Sequence, residues 1–383
     1  MSGVYVLGID MMKFGRFPDR TVPQLGAEAA LMALDDARVT IQQVQAVYCG
    51  NIGEANAMVG QRVLHQIGQT GVPVVNCANA CATGATAFRE AWVAIRAGLY
   101  DVALAVGVEQ MGRGLLGGGA KAGGISTEGL LGSGTMPAVF GEAGLEHTRK
   151  HGTTFEQFAK VSVKNHHHST LNPKAMYQLE TPLETVMGAE MIAYPNTKLM
   201  CSVNVDGAAA AVLVSERKAR ELGLARAVRV KASVLTSDPW QARDLVLPDV
   251  STCTRNAAAQ AYEMAAIGPG ELDLVELHDC FATAELLHYE NLGLCDDGQA
   301  GRLIDEGETA LGGRIPVNVS GGLLSKGHPL GATGIANIYE VCTQLRGEAG
   351  KRQVAGARIG LTHVIGLGSA CGVHVLERVA QAS

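Results

Sequence analysis

The chain has 383 residues and carries 31 Lys and Arg against 37 Asp and Glu, which gives a formal net charge of −6. This acidic balance argues against a nucleic-acid-binding protein, because phosphate neutralisation needs an excess of basic residues. Hydrophobic residues make up 47% of the chain and charged residues 18%, a composition that excludes disorder and predicts about two or three folded domains.

The N-terminal sequence and the spacing of the cysteines indicate the cellular compartment in which the protein is expected. The N-terminal sequence MSGVYVLGIDMMKFG lacks the basic and apolar regions of a signal peptide, and no apolar run reaches the about 18 residues of a membrane helix. The nine cysteines form no C-x-x-C pair, which argues against a disulfide framework and a structural zinc site. We therefore expect free thiols in a cytoplasmic protein that does not contact a membrane.

Strand and helix patterns alternate along the chain, with Ser215 and Ser251 predicted as helix N-caps and Gly223 as a helix stop. The alternation predicts an α/β fold with mostly parallel sheets covered by helices on both faces. In chain order, the predicted elements are a helix at 25–37, strands at 46–51 and 73–76, a helix at 82–97, strands at 102–108 and 207–214, helices at 215–223 and 251–266, a strand at 274–279, a helix after Pro329 and a strand at 359–366.

The two halves of the chain resemble each other. A shift of 250 residues superposes CATGATAFREAWVAIR (81–96) on GATGIANIYEVCTQLR (331–346), and each copy runs into an apolar strand. This repeat predicts a duplicated α/β unit, with one half at 1–225 and the other at 226–383. The excess stretch at about 110–195 in the first half is interpreted as an inserted loop domain over a site.

Two motifs suggest ligand sites but lack the required context. The sequence GRGLLG (112–117) matches a dinucleotide loop, yet GGAKAGG follows where a helix should begin, so we interpret it as a flexible loop. His147 and His151 have i, i+4 spacing and His166–His168 are consecutive, but one helix supplies only two ligands, without a third ligand or second shell. We expect no metal site.

Cys81 is a candidate nucleophile. It lies where the strand PVVN (73–76) passes into a helix, and a thiol at a helix N-terminus is expected to have a lowered pKa, especially with a protonated histidine nearby. The same position also suits a small cysteine packed in a core. The position of His328 favours a nucleophile. A pseudo-twofold relation between the halves would bring the helix starts at 81 and 331 together, and His328 would then reach Cys81.

Two further segments contribute candidate groups. ELHDCFATAEL (276–286) places His278 and Cys280 at the carboxyl end of a strand, where α/β sheets build their sites. THVIGLGSAC (362–371) ends another strand at Gly366 and Gly368, whose backbone N–H groups are candidate donors to an oxyanion.

With these motifs the sequence resembles the thiolases, and among them the sterol-carrier-protein type. The resemblance rests on CATGATA around Cys81, HDCFA at 278–282, GHPLGATG at 327–334 and GLG at 366–368, in one order over nearly the whole chain. It implies the thiolase fold, with two α/β halves forming a five-layer αβαβα core and an inserted loop domain. It also implies an acyltransferase that cleaves 3-oxoacyl-CoA with coenzyme A, or runs the reverse Claisen condensation.

The resemblance assigns roles to the candidate residues. Cys81 is the nucleophile that forms an acyl-enzyme, His328 is its base, and His278 with His328 stabilises the enolate. Commoner thiolases carry Asn in place of His278 and an acid/base Cys where this chain has Val364; in the sterol-carrier-protein type the HDCF cysteine, Cys280 here, stands in for it. The backbone N–H groups of Cys81 and Gly366 form the oxyanion hole.

The resemblance also bears on cofactors and partners. It implies coenzyme A as co-substrate, no permanently bound cofactor and a homodimer or larger homo-oligomer assembled through the first half. The alternative is an acyltransferase or retro-aldolase subunit that works with a small OB-fold partner, although such lyases lack the nucleophilic cysteine. A decarboxylating condensing enzyme is disfavoured because H-G-T-G-T is absent, and four intact motifs disfavour a non-catalytic scaffold.

Overall fold

The computed structural model describes residues 3–112, 136–240 and 250–379. Its strands are β1 (Val4–Met11), β2 (Ala46–Gly50), β3 (Val74–Cys77), β4 (Val102–Glu109), β5 (Met191–Ala193), β6 (Asn196–Thr197), β7 (Gly207–Ser215), β8 (Val228–Thr236), β9 (Leu274–Glu276), β10 (Ile359–Gly366) and β11 (Ala370–Arg378). Its α-helices are α1 (Val22–Ala37), α2 (Val59–Ile67), α3 (Thr83–Arg96), α4 (Met136–His151), α5 (Phe155–Thr170), α6 (Leu183–Met187), α7 (Glu216–Leu222), α8 (Thr252–Ala265), α9 (Ala282–Asn291), α10 (Ala300–Asp305) and α11 (Leu330–Arg346).

Local sequence signals set several element ends. The Ser215 hydroxyl accepts a hydrogen bond from the Lys218 backbone N–H at 3.3 Å, and Gly223 ends α7 with φ of +107°, as predicted. Ser251 stands at the N-cap of α8 but makes no capping hydrogen bond with its side chain. Its hydroxyl accepts a hydrogen bond from Asn291 Nδ2 at 3.2 Å, so a contact with α9 replaces the predicted cap.

Nine of the described strands form one sheet in the order β3-β2-β4-β7-β1-β8-β11-β10-β9, and β5 pairs separately with β6. The first-half and second-half strands meet at a short pairing of Tyr5 with Arg229 and Val6 with Val228. The prediction of mostly parallel strands is wrong. Five neighbouring pairs in this sheet are antiparallel and three are parallel. A short turn after Gly366 joins β10 to β11, which forces an antiparallel return.

Helices cover the strands in layers, as the repeat predicts. Helix α1 packs on β1 and β7, and α8 packs on β8 and β11. Helices α3 and α11 pack together between the strands of the first half and those of the second half. Glycines allow α3 and α11 to approach closely: a Cβ added at Gly84 would lie 2.7 Å from the Gly331 carbonyl oxygen. The five-layer α/β prediction is therefore confirmed, and the duplicated helix starts lie together at the centre.

The segment between β4 and β7 supplies α4, α5, α6 and the β5–β6 hairpin. Helices α4 and α5 both pack on α9 of the second half. Most of GRGLLG lies outside the described residues, so its interpretation as a loop remains a prediction, as do the domain boundaries at 225 and 226. Among the described residues, no helix is long and apolar enough to cross a membrane.

Candidate active site

Cys81 sits in a turn whose backbone is fixed by Thr83. The Thr83 hydroxyl accepts a hydrogen bond from the Asn79 N–H at 2.7 Å and donates to the Ala80 carbonyl at 2.6 Å. Ala80 has φ of +46°, a left-handed conformation that non-glycine residues rarely adopt and that directs the chain sharply into α3. The CATG motif therefore builds a rigid turn that holds the buried Cys81 thiol at the helix start.

His328 precedes α11 and is held in one tautomer. Its backbone N–H donates to the Val203 carbonyl at 2.9 Å, and its Nδ1 lies 2.7 Å from the Thr333 hydroxyl. The Thr333 hydroxyl donates its own proton to the Pro329 carbonyl at 3.0 Å, so it must accept a proton from Nδ1. Nε2 of neutral His328 therefore carries a lone pair, as a general base requires.

His278 and Cys280 follow β9 directly. The Nε2 atoms of His278 and His328 lie 3.5 Å apart, while Nδ1 of His278 is buried with no hydrogen-bond partner among the described residues. One ligand atom from each of Cys81, His278 and His328 lies within 4.8 Å of the other two. The Cys280 carbonyl accepts the Ser202 N–H at 2.9 Å, which anchors this turn to the segment after α6. The structure therefore brings together the side chains that the sequence proposed.

Asp279 connects the two histidine-bearing segments, and sequence reasoning missed it. Its carboxylate accepts backbone N–H groups of Leu323 at 2.8 Å and Leu324 at 3.3 Å, within the turn that leads to His328. Asn165 Nδ2 donates to Asp279 at 2.8 Å and to Glu285 at 2.6 Å. The available sequence signal was that Asp279 lies between the proposed catalytic residues His278 and Cys280. Its hydrogen-bond partners, however, lie over 40 residues away in the chain.

Gly366 lies beside the Cys81 turn. A Cβ added there would meet the Asn79 carbonyl oxygen at 2.6 Å and the Ala80 Cβ at 3.2 Å, so only glycine lets β10 approach the turn this closely. The end of β10 and the start of α3 are therefore adjacent, as an oxyanion hole formed by Cys81 and Gly366 requires.

Burial dominates the electrostatics of the site. It raises the pKa of the Cys81 thiol to about 12, lowers the pKa of His278 to about 3 and holds that of His328 well below its ordinary value. The expectation of a lowered Cys81 pKa is therefore wrong: loss of hydration at this buried thiol outweighs the helix terminus, and burial also lowers the pKa of both neighbouring histidines, which disfavours their charged forms. Burial likewise raises the pKa of Cys280. Burial therefore favours the neutral forms of these thiols and imidazoles.

A cavity of about 240 Å³ opens onto these groups. Cys81, His278, Cys280 and His328 supply its reactive side chains, and Cys201 adds a third thiol. Its other lining residues are Met136, Pro137, Phe140, Ile192, Lys198, Ser202, Asn204, Phe281 and Leu367. A mostly apolar wall around a few polar groups suits a small organic substrate.

The consecutive histidines on α5 serve structural contacts. His168 Nδ1 lies 3.0 Å from the Asn318 carbonyl, and its Nε2 accepts the Leu311 N–H at 3.0 Å. His166 contacts Ser162 on its own helix, whereas the exposed His167 lies 2.8 Å from Glu180. His147 and His151 lie on α4, outside the lining of this cavity.

Two family models and several known proteins match most of this chain. The family model described as "Thiolase, N-terminal domain" matches residues 4–190, and that described as "Thiolase C-terminal domain-like" matches residues 238–378. Human sterol carrier protein 2 is 41% identical over 96% of this chain and 70% of its own length. Acetyl-CoA acetyltransferase of Methanothermobacter thermautotrophicus is 40% identical over 99% of this chain and 100% of its own.

Solved structures share the fold. The structure titled "Ltp2-ChsH2(DUF35) aldolase" superposes with a TM-score of 0.83 and 23% identity, covering 98% of this chain and 98% of the other. At this identity the likeness concerns the fold.

Proposed function

The chain belongs to the thiolase family of acyltransferases, and from that premise we propose that it transfers acyl groups to and from coenzyme A through an acyl-enzyme on Cys81. The observation that carries the proposal is the meeting of Cys81, His278 and His328 within 4.8 Å, with Cys280 lining the same cavity. These groups supply a nucleophile, a base, an enolate-binding pair and a second acid/base.

Acylation begins from the neutral Cys81 thiol and the neutral His328 imidazole. As Cys81 attacks the keto carbon of a 3-oxoacyl-CoA, Nε2 of His328 accepts the thiol proton, because Thr333 keeps the other ring nitrogen protonated. The developing oxyanion is placed against the N–H groups of Cys81 and Gly366. Since burial disfavours a resting thiolate, deprotonation belongs to the attack step.

Cleavage of the C–C bond then leaves an acyl group on Cys81 and the enolate of the departing acyl-CoA. In this proposal His278 and His328 donate hydrogen bonds to the enolate oxygen, and Cys280 delivers the proton to the enolate carbon. Coenzyme A next attacks the thioester at Cys81 and releases a shortened acyl-CoA, which predicts ping-pong kinetics. The reverse sequence is a Claisen condensation, and either direction belongs to lipid metabolism. Coenzyme A acts as co-substrate, with no permanently bound cofactor.

A second candidate is a subunit that acts on CoA esters with a small OB-fold partner, as an acyltransferase or a retro-aldolase. The superposition on the structure titled as an aldolase with a DUF35 component supports keeping it. The Cys81 nucleophile favours acyl transfer over the lyase chemistry. Stable acylation of Cys81 by acyl-CoA separates the two reactions.

We also propose that the chain assembles at least as a homodimer, through its first half. Strand β3 is the edge of the sheet, and Val75 at its centre is 45% exposed, so its backbone is available to pair with a second copy. Light scattering at micromolar concentration tests this, and a monomeric mass would contradict it. None of the nine cysteines, all within the described ranges, forms a disulfide, which supports a reducing cytoplasmic compartment.

A thiolysis assay tests the function. Purified protein is given 3-oxoacyl-CoA substrates of increasing chain length with free coenzyme A, with and without co-purified partner proteins. We expect parallel double-reciprocal plots, the signature of a covalent two-step cycle. Cleavage to a free aldehyde or ketone without consumption of coenzyme A would instead support the retro-aldolase.

A further inference from the structure

A second cluster of ligand-type side chains lies where helix α4, in the segment between β4 and β7, packs on α9, apart from the Cys81 cavity. His147 and His151 occupy successive turns of α4, and Glu290 lies near the end of α9. One ligand atom from each of the three lies within 4.8 Å of the other two, and the two imidazole centroids are 4.8 Å apart.

The sequence argued against a metal here because one helix supplies only two ligands, and α9 supplies the third. Glu290 Oε1 lies 3.0 Å from His147 Nε2, although the two residues are 143 positions apart. The same oxygen accepts the backbone N–H groups of Gly298 at 2.8 Å and Ala300 at 3.2 Å, which fixes the carboxylate. Two imidazoles and one carboxylate are the protein ligands of open zinc sites.

Neighbouring residues also orient the proposed ligands. His147 Nδ1 lies 2.8 Å from the Thr153 hydroxyl, so the ring is oriented with Nε2 toward Glu290. Gly298 has φ of +83°, and a Cβ there would lie 2.7 Å from His151 Nδ1, so this glycine leaves room for the His151 ring. His147 and Glu290 are buried while His151 is exposed, which gives the cluster a path to solvent.

We propose that His147, His151 and Glu290 bind one Zn²⁺, with water completing the coordination. Imidazole ligands with a single carboxylate favour Zn²⁺ over Mg²⁺ or Ca²⁺, which prefer oxygen ligands. The ion joins α4 to α9. Since α4 contributes Met136, Pro137 and Phe140 to the cavity and α9 follows Cys280, the role of the metal is to stabilise the cavity wall.

Metal titration of the full chain tests the proposal. Zn²⁺ binding is measured by calorimetry, and metal content by mass spectrometry after dialysis. Wild type is expected to hold one Zn²⁺ per chain and to gain thermal stability from it. His151→Ala removes an exposed ligand, so the fold should survive while affinity falls by at least about 100-fold; Thr153→Val should weaken binding about 10–100-fold. The matched control is His167→Ala, which removes an exposed histidine from neighbouring α5.

The Cys81, His278 and His328 set is a competing metal site, and a thiolate distinguishes it. Co²⁺ bound there would show sulfur-to-metal charge transfer, whereas Co²⁺ on His147, His151 and Glu290 shows only ligand-field bands. Binding that persists in Cys81→Ala and is lost in His151→Ala supports the proposal. Absence of Zn²⁺ binding by wild type, equal binding by His151→Ala, or dependence on Cys81 would overturn it.

Discussion

The Asp279 carboxylate accepts a hydrogen bond from the backbone N–H of Leu323 at 2.8 Å, and this bond joins the turn that carries His278 and Cys280 to the turn that carries His328. Gly322, with φ of +59°, has no room for a side chain because the Asp279 carboxylate occupies that space. The relative position of the two histidines therefore depends on Asp279, which is not one of the residues that line the cavity.

We expect Asp279→Ala to lower kcat by about 100-fold with little change in KM, because small displacements of reacting groups carry penalties of that order. The control is Asp273→Ala, which removes a carboxylate that also accepts two backbone N–H groups, those of Arg358 and Ile359, away from the cavity. Steady-state thiolysis, normalised to folded protein by circular dichroism, makes the comparison. Equal loss of kcat in both variants would reduce Asp279 to a stability role.

Thr333→Val removes the acceptor for Nδ1–H of His328. An unpaired buried donor costs about 1–3 kcal/mol, so we expect kcat/KM to fall about 10–100-fold as the productive tautomer loses its preference. Thr343→Val is matched to it, since Thr343 lies on the same helix and its hydroxyl donates to the Tyr339 carbonyl. An unchanged rate in Thr333→Val would show that another group selects the His328 tautomer.

The sequence predicted the reactive side chains better than their environment. Periodicity placed β10 at 359–366 without error, and the motifs named Cys81, His278, Cys280 and His328. Strand direction was missed because hydrophobic patterns carry no information about which strands pair. The Cys81 pKa was missed because burial arises only when α3, α11 and β10 pack around the thiol.

The sequence also could not predict the hydrogen bonds that position the site residues, because these bonds join distant parts of the chain. Asn165 reaches Asp279 and Glu285 across more than 110 residues, and Glu290 reaches His147 across 143. Nothing local marks such partners. The i, i+4 spacing of His147 and His151 led to no expected metal site, because whether a third ligand faces the pair is decided by how α4 packs on α9.

Cys280→Ala should separate the two thiols by role. If Cys280 protonates the enolate, its removal should lower the rate of α-proton exchange from acetyl-CoA into deuterated water by about 10²–10⁴-fold, while Cys81 is still acylated. Cys201→Ala is the control, because Cys201 is a thiol lining the same cavity. Near-normal exchange in Cys280→Ala would assign the proton to another residue, with His278 the leading candidate.

Buried histidines predict a loss of stability in acid. Burial lowers the pKa of His374 to about 3, so between pH 6.5 and 3 the unfolded chain binds a proton there that the folded chain does not. Stability from this histidine is therefore present above pH 6.5 and lost as pH falls, by up to about 1.4 kcal/mol per pH unit. The same sign holds for His168, His278 and His288, each with a pKa lowered to about 3.

Urea unfolding at pH 7, 6 and 5 measures this slope. His374→Gln should reduce it by up to about 1.4 kcal/mol per pH unit, most strongly between pH 6 and 5, since one acid-sensitive group is removed outside the cavity. His65→Gln provides the comparison, because His65 is exposed on α2. A slope that His374→Gln leaves unchanged would show that the pKa of this histidine is the same in the folded and unfolded chain.

The central claim is that Cys81 carries the acyl group. Intact mass spectrometry after incubation with acetyl-CoA or a 3-oxoacyl-CoA, followed by peptide mapping, tests it most directly. The account predicts one acyl group per chain on Cys81 in wild type and in Cys77→Ala, which changes a nearby cysteine outside the cavity lining, and none in Cys81→Ala. Acylation that persists in folded Cys81→Ala, or that maps to Cys77, Cys201 or Cys280 in wild type, would contradict it.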